Sequence, residues 1–149
     1  MKDHLSDTAE TVLDVTGLAV RYATPRGQVH AVDKLDLTLR RGEVLGIIGE
    51  SGCGKSTAAY AILGLLPGPG RVSAGSVRLM GEDLLTLPDG ALRRRRWSRM
   101  ALIPQGAMNA LNPTMTVARL FAATMRTHGV PKAERAARTA DLLARVGLP

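Results

Sequence analysis

The sequence predicts an α/β fold in which a buried strand runs into a glycine-rich turn and then into a helix. Three observations carry that expectation. The apolar run Val44-Leu45-Gly46-Ile47-Ile48 leads directly into Gly49-Glu50-Ser51-Gly52-Cys53-Gly54-Lys55-Ser56-Thr57, which contains the pattern G-x-x-x-x-G-K-[ST]. The residues that follow, Ala58-Ala59-Tyr60-Ala61-Ile62-Leu63, continue at a helical period. Aromatic residues make up only 3% of the chain, so packing must rest on Leu, Val, Ile, Ala and Met, as is common where helices cover a mostly parallel sheet.

Taken in order, Val12 to Tyr22 alternates apolar with polar or small residues and reads as a strand. The turn-rich stretch Ala23 to Gln28 joins it to a second strand, Val29 to Leu39, in which Leu35, Leu37 and Leu39 alternate with Asp36, Thr38 and Arg40. The two strands are expected to form an antiparallel sheet. Arg41-Gly42-Glu43 turns the chain into the strand Val44 to Ile48, and the helix after the glycine loop runs to about Leu66, where Pro67-Gly68-Pro69-Gly70 stops it. A short strand over Gly75 to Met80 follows, then a turn at Gly81-Glu82-Asp83 and a helical stretch holding Arg93-Arg94-Arg95-Arg96. Met100-Ala101-Leu102-Ile103-Pro104 reads as another buried strand, delivering Gln105 into a loop over residues 106–113. Two amphipathic helices close the chain, Val117 to His128 and Lys132 to Val146, the second with Ala136, Ala140, Leu143 and Val146 near helical spacing. No internal repeat or sustained heptad is present.

The glycine loop points to phosphate. Gly49, Gly52 and Gly54 allow successive backbone N–H groups to turn inward and leave room for phosphate oxygens. The helix behind them aims its positive dipole end and unpaired N–H groups at the same place. Lys55 adds a full positive charge, and the Ser56 hydroxyl can take a magnesium ion that otherwise finds only phosphate and water oxygens. A nucleoside triphosphate with Mg2+ is the expected ligand, held by Gly49, Glu50, Ser51, Gly52, Cys53, Gly54, Lys55, Ser56 and Thr57. A merely structural glycine turn would leave Lys55 unexplained.

Among 149 residues, 45% are hydrophobic, enough for one domain with a real core. No apolar run approaches the roughly 20 residues needed to cross a bilayer, and the start Met1 to Asp7 lacks the apolar stretch of a secretion signal, so the chain is expected in the cytoplasm. The single cysteine, Cys53, agrees with a reducing compartment; as a thiol near a helix N-terminus and a lysine it can react with alkylating agents, while its plain role is a small space-filling residue. The formal charge of +7 suits nucleic acid, anionic lipid or an acidic nucleotide. The run Arg93 to Arg96 with Trp97 and Arg99 raises a nucleic-acid surface as one reading and a solvated helix face, or a helix lying near acidic headgroups, as the other. The solvated face is preferred, because one aromatic is a poor stacking platform and no nucleic-acid motif accompanies it. Nucleic acid is therefore not the expected partner.

The arrangement resembles the ATP-binding subunit of an ABC transporter over essentially the whole chain. Tyr22 stands where that family places an aromatic that stacks on adenine; Gly49 to Thr57 matches its Walker A form G-x-S-G-x-G-K-S-T; Gly75-Ser76-Val77 with Gly81-Glu82-Asp83-Leu84 looks like its G-x-[IV]…G-x-D-[IL] ribbon; and Ile103-Pro104-Gln105 looks like its Q-loop. Met108-Asn109-Ala110-Leu111-Asn112-Pro113 and Val146-Gly147-Leu148-Pro149 are similar to the subunits that power dipeptide, oligopeptide and nickel importers.

The resemblance implies an ABC ATPase core of the RecA-like P-loop NTPase fold, with an N-terminal antiparallel β subdomain and the start of a helical subdomain. Its boundaries would fall at residues 1–43 for the β region, 44–105 for the P-loop core and 106–149 for the Q-loop and helical part. It further implies ATP and Mg2+ as ligands, with Gln105 joining Ser56 at the metal, a second ATP-binding subunit, two transmembrane permease subunits, an extracytoplasmic substrate-binding protein, and a place at the cytoplasmic face of the membrane. Tyr22 could offer its ring to the base, or simply cover the core edge at a strand end. Gln105, an uncharged donor and acceptor, can take or leave a magnesium-bound position at little electrostatic cost. The loop with Met108, Leu111 and Pro113 would press on a permease helix.

The family also expects a signature loop L-S-G-G-Q, an apolar strand ending in Asp and a catalytic Glu, and a switch histidine, none of which this sequence contains. Asp83, Asp89, Glu134 and Asp141 read as turn or helix-surface residues, so no catalytic residue is assigned. The chain is therefore expected to be the incomplete N-terminal part of a longer ATPase, leaving Ile47, Ile48, Leu102 and Ile103 partly uncovered. Three functions follow in order of preference: an energy-coupling ATPase subunit of a peptide- or nickel-type importer, a nucleotide-binding fragment that does not hydrolyse, and a nucleic-acid-associated P-loop protein.

Overall fold

The computed structural model describes residues 10–96, 98–104, 106 and 111–148. Gln105, Met108, Asn109, Ala110 and Trp97, all singled out above, lie outside the described residues. The chain divides into two compact units, Met1–Arg96 and Trp97–Pro149.

The first unit is organised by a four-stranded antiparallel sheet in the order β2-β1-β3-β4. Strand β1 (Thr11–Thr24) and strand β2 (Gly27–Arg40) form a long hairpin closed by Pro25 and Arg26. The tip is fastened by the Thr24 hydroxyl, which donates to the Gly27 carbonyl at 2.6 Å. Strand β3 (Gly70–Leu79) pairs with the other edge of β1, and β4 (Glu82–Asp83) extends it through the two-residue turn Met80-Gly81. Both turn residues have positive φ, 50° and 83°, the primed geometry whose twist matches that of paired strands. The antiparallel region thus takes residues from 70–83 as well as from the first 40.

The simple alternation expected in β1 is broken most clearly around Gly17. Gly17 sits in the left-handed region at φ 59°, the β1–β2 register shifts between Val15 and Leu18, and Leu18, Ala19 and Val20 are then all buried. An extra residue in one strand of an antiparallel pair does this: it bends the strand and resets which side chains face inward. Val15, Leu18, Val20 and Val77 are the largest fully buried side chains, and each contributes on the order of 1.5–3 kcal/mol by leaving water.

Helix α1 (Lys55–Ile62) packs on β1, β2 and β3, with Ala58 and Ala61 buried at the contact. Small side chains let its backbone lie close to the sheet. A single turn of 3-10 helix, Leu84–Thr86, capped by the Asp83 carboxylate, leads to helix α2 (Asp89–Arg95).

Two expected strands do not form. Residues 44–48 and 101–104 lie outside any strand, and Val44 and Ile48 are each 96% exposed and Ile103 90% exposed. Among the described residues no strand hydrogen-bonds to either segment, and an apolar run without a ladder on its edges has nothing to bury it. The expected uncovering of Ile47, Ile48, Leu102 and Ile103 agrees with this: Ile47 is exposed and Leu102 half-buried.

The second unit contains helix α3 (Val117–Thr127) and helix α4 (Lys132–Arg145), which pack on each other. Thr116 caps α3 by accepting from the Arg119 N–H at 3.3 Å. The inward face of α4 is one residue away from the expected one. Arg135, Thr139 and Leu143 are half-buried, whereas Ala136, Ala140 and Val146 are exposed. Arg135 accounts for the offset, because its guanidinium is drawn back to donate to the Val130 carbonyl at 2.9 Å.

Candidate functional site

Between the extended segment 44–48 and α1, the chain makes a loop that only glycine can follow. Gly52 and Gly54 hold φ values of 83° and 94°, in the left-handed region, and Gly54 is the residue from which α1 starts. Gly54 is required a second time by space. A Cβ there would collide with the Ala31 carbonyl oxygen and sit 3.5 Å from Val32 Cγ2, so the loop is seated directly on β2.

Lys55, the first residue of α1, turns back over the loop. Its Nζ donates to the Gly49 carbonyl at 2.7 Å and the Glu50 carbonyl at 2.6 Å, and stands 3.4 Å from Cys53 Sγ. These contacts tie the loop closed and hold the ammonium over it. Cys53 is an exposed thiol whose N–H reaches the Glu50 carbonyl at 3.4 Å. The N–H of Ala58 is satisfied by the Gly54 carbonyl at 2.8 Å, which leaves the earlier N–H groups of the helix available to a ligand.

A cavity of about 460 Å³ opens on this loop, lined by Gly52, Cys53, Gly54, Lys55, Ser56 and Thr57 on one side and by Val29, His30 and Ala31 of β2 on the other. Its size is that of a small-ligand site. The polar groups lining it are backbone N–H groups, the Lys55 ammonium, the Ser56 and Thr57 hydroxyls, the Cys53 thiol and the His30 imidazole, with no carboxylate among them. That donor set fits a polyanion. No cluster of three or more His, Cys, Asp or Glu occurs among the described residues, so a metal ion in this cavity would take the Ser56 hydroxyl plus oxygens brought by the ligand.

The structure therefore brings Gly52 to Thr57 together around one cavity, with Gly49 and Glu50 tied to it through Lys55. Tyr22 is placed differently. Its half-buried ring lies against Gly70 of β3, where a Cβ would come within 2.7 Å of Tyr22 Cε1, and Tyr22 is not among the residues lining the cavity. The hairpin register nevertheless sets Tyr22 opposite Val29, one strand from the cavity wall. The β2 wall of Val29, His30 and Ala31 escaped sequence reasoning. A two-residue turn at Pro25-Arg26 would have given the pairing of Tyr22 with Val29, but the seating of the loop on Ala31 is a tertiary contact that no local pattern names.

The arginine run is largely engaged. Arg95 forks onto the Glu82 carboxylate at 2.7 and 2.9 Å, and that hydrogen bond, with the carboxylate's charge, raises the guanidinium above its ordinary range. Arg96 donates to backbone carbonyls. Only Arg93 and Arg94 of the four are exposed, which reduces the basic stripe that a nucleic-acid surface would need. No described helix is long and apolar enough to cross a membrane.

Comparison with known proteins points the same way as the cavity. The family model described as ABC transporter matches residues 32–149. The chain is 43% identical over 139 residues to the dipeptide transport ATP-binding protein DppD of Haemophilus influenzae, covering 93% of this chain and 42% of that protein. It is 42% identical over 142 residues to the oligopeptide transport ATP-binding protein OppD of Salmonella typhimurium, covering 95% and 42%. The corresponding DppD of Caldanaerobacter subterraneus is 40% identical over 119 residues, covering 80% and 36%. The chain thus spans about two fifths of the length of these relatives.

Proposed function

Because the chain belongs to the ABC transporter family, we propose that it is the nucleotide-binding part of an ATPase subunit that powers import of peptides. The observation that carries this reading is the loop itself: left-handed glycines, a helix start and Lys55 arranged round a cavity with no acidic lining. Triphosphate oxygens would take the N–H groups of the loop, and their charge would draw the Lys55 ammonium from the Gly49 and Glu50 carbonyls. Ser56 would hold Mg2+ against the outer phosphates, with Gln105 as its second protein contact. Tyr22 and the β2 wall would bracket the base and sugar.

In this reading the chain corresponds to the N-terminal part of one ATP-binding domain, divided at residues 1–43, 44–105 and 106–149. ATP hydrolysis belongs to the whole subunit, and no described residue is assigned to activating water. The subunit would pair with a second ATP-binding subunit and dock two permease subunits at the cytoplasmic face of the membrane, fed by a substrate-binding protein outside. Leu111 and Pro113 are exposed in the loop before α3, ordered by Asn112, whose side-chain oxygen accepts from the Thr114 N–H and hydroxyl at 3.0 and 2.7 Å. They would form part of the permease contact. The relatives named for dipeptide and oligopeptide transport support peptides as cargo over nickel. Uptake of a labelled di- or oligopeptide by cells carrying Lys55→Ala in place of the natural protein tests this; uptake should stop, and undiminished uptake would refute the assignment.

A further inference from the structure

The four consecutive arginines divide by direction. Arg95 turns to Glu82, whereas Arg96, the residue after α2, turns to the far end of the helix that begins at the phosphate loop. Its Nε donates to the Leu63 carbonyl at 2.9 Å and its Nη2 to the Gly64 carbonyl at 2.5 Å. These carbonyls lie at the C-terminus of α1, which has no basic residue in its own last turn. Gly64, at φ 62°, ends the helix in the left-handed conformation, with its N–H on the Ala61 carbonyl at 3.0 Å and the Leu65 N–H on the Tyr60 carbonyl at 2.7 Å. The space over Gly64 is fully used: a Cβ there would come within 2.5 Å of Leu92 Cδ2 and 3.1 Å of Arg96 Nη2. Leu92 and Arg96 thus close on the helix end together.

Helix α1 has eight residues, about 12 Å of helix, a length that does not sustain itself in water. Its N-terminal N–H groups act on an anion only while the helix is formed up to the loop. A half-buried guanidinium on the C-terminal carbonyls satisfies them and complements the negative end of the dipole. We infer that Arg96 is a positioning residue of the nucleotide site, a cationic cap supplied from outside α1 that holds the phosphate-loop helix at its far end. This inference rests on the nucleotide-binding reading above. The fork matters as well as the charge, because a lysine offers one point donor where Arg96 engages two carbonyls.

Amide hydrogen exchange and Mg-ATP titration on the purified wild type and Arg96→Met, Arg96→Lys and Arg93→Met test it. Arg96→Met should speed exchange of the amides at residues 61–65 and weaken Mg-ATP binding, each by about tenfold, with β1 and β3 amides unchanged. Arg96→Lys should fall between Met and wild type, and Arg93→Met, which alters an exposed arginine, should match wild type. If Arg96→Met does not fold, Arg96→Lys is judged by the same local pattern. Unchanged α1 exchange, or a rise shared equally by helix and sheet, would overturn the inference. Absence of Mg-ATP affinity in the wild type would instead overturn the nucleotide reading, whereas wild-type affinity retained in Arg96→Met would overturn only the role of Arg96.

Discussion

Two stretches of this chain are equally apolar and end in opposite places. Leu18-Ala19-Val20 in β1 is buried, with Leu18 and Val20 at 0% exposure, whereas Val44-Leu45-Gly46-Ile47-Ile48 is exposed along its whole length. Hydrophobicity does not separate them. What separates them is that β1 has a hydrogen-bonded neighbour on each side, β2 and β3, and α1 over one face. A strand is a property of its pairing, and its side chains are buried by the layer that pairing assembles. The glycine loop stands at the boundary of the two situations, entered from the unpaired segment and left through a helix that the paired sheet supports.

Substitutions on the two sides should therefore differ sharply. Leu18→Ala should cost about 3 kcal/mol in denaturant unfolding, through lost burial and the cavity left behind. The next largest effect is expected from Gly75→Ala: at φ 94° and with a Cβ only 2.5 Å from the Gly17 carbonyl oxygen, the close crossing of β1 and β3 must open, at roughly 1–3 kcal/mol. Gly42→Ala, also at positive φ but with nothing within 4 Å, should cost only the backbone term of about 1 kcal/mol. Ile48→Ala should change stability by less than about 0.5 kcal/mol in this chain, since nothing covers the side chain. A cost for Ile48→Ala near that of Leu18→Ala would break the comparison. The exposed pair Arg41–Glu10, at 2.8 Å, should contribute least, and Arg41→Ala should shift the midpoint within about 0.5 kcal/mol and less in high salt.

Much of this architecture was legible because its signals are local. The alternation in residues 12–22 and 29–39 gave the β1–β2 hairpin, and the glycine pattern gave the loop that lines the cavity, whereas the helix expected to run to about Leu66 and to stop at residues 67–70 ends at Ile62, where Gly64 at φ 62° turns the chain before the prolines are reached. Other features depend on partners that sequence pattern does not name. The run at 44–48 looks the same whether or not strands flank it. The bulge at Gly17 and the one-residue rotation of α4 arise from pairing and from the reach of Arg135 to the Val130 carbonyl. Arg93 to Arg96 read as a uniform charge run, and only the folded chain distinguishes a surface arginine from one that caps a distant helix. Tyr22 shows the same limit: a strand-end aromatic is visible in the sequence, while its seat on Gly70 is not.

The most direct measurement is equilibrium titration of Mg-ATP into the purified protein beside its Lys55→Ala variant, with the fold of each checked by the unfolding midpoint. Lys55 closes its loop through two carbonyls and is the only full positive charge that the loop brings to the cavity. Saturable binding by the wild type, weakened at least about 100-fold by the substitution while the midpoint holds, is the predicted result. Equal affinity in the two proteins, or no binding by a folded wild type, would contradict the assignment of this loop to triphosphate.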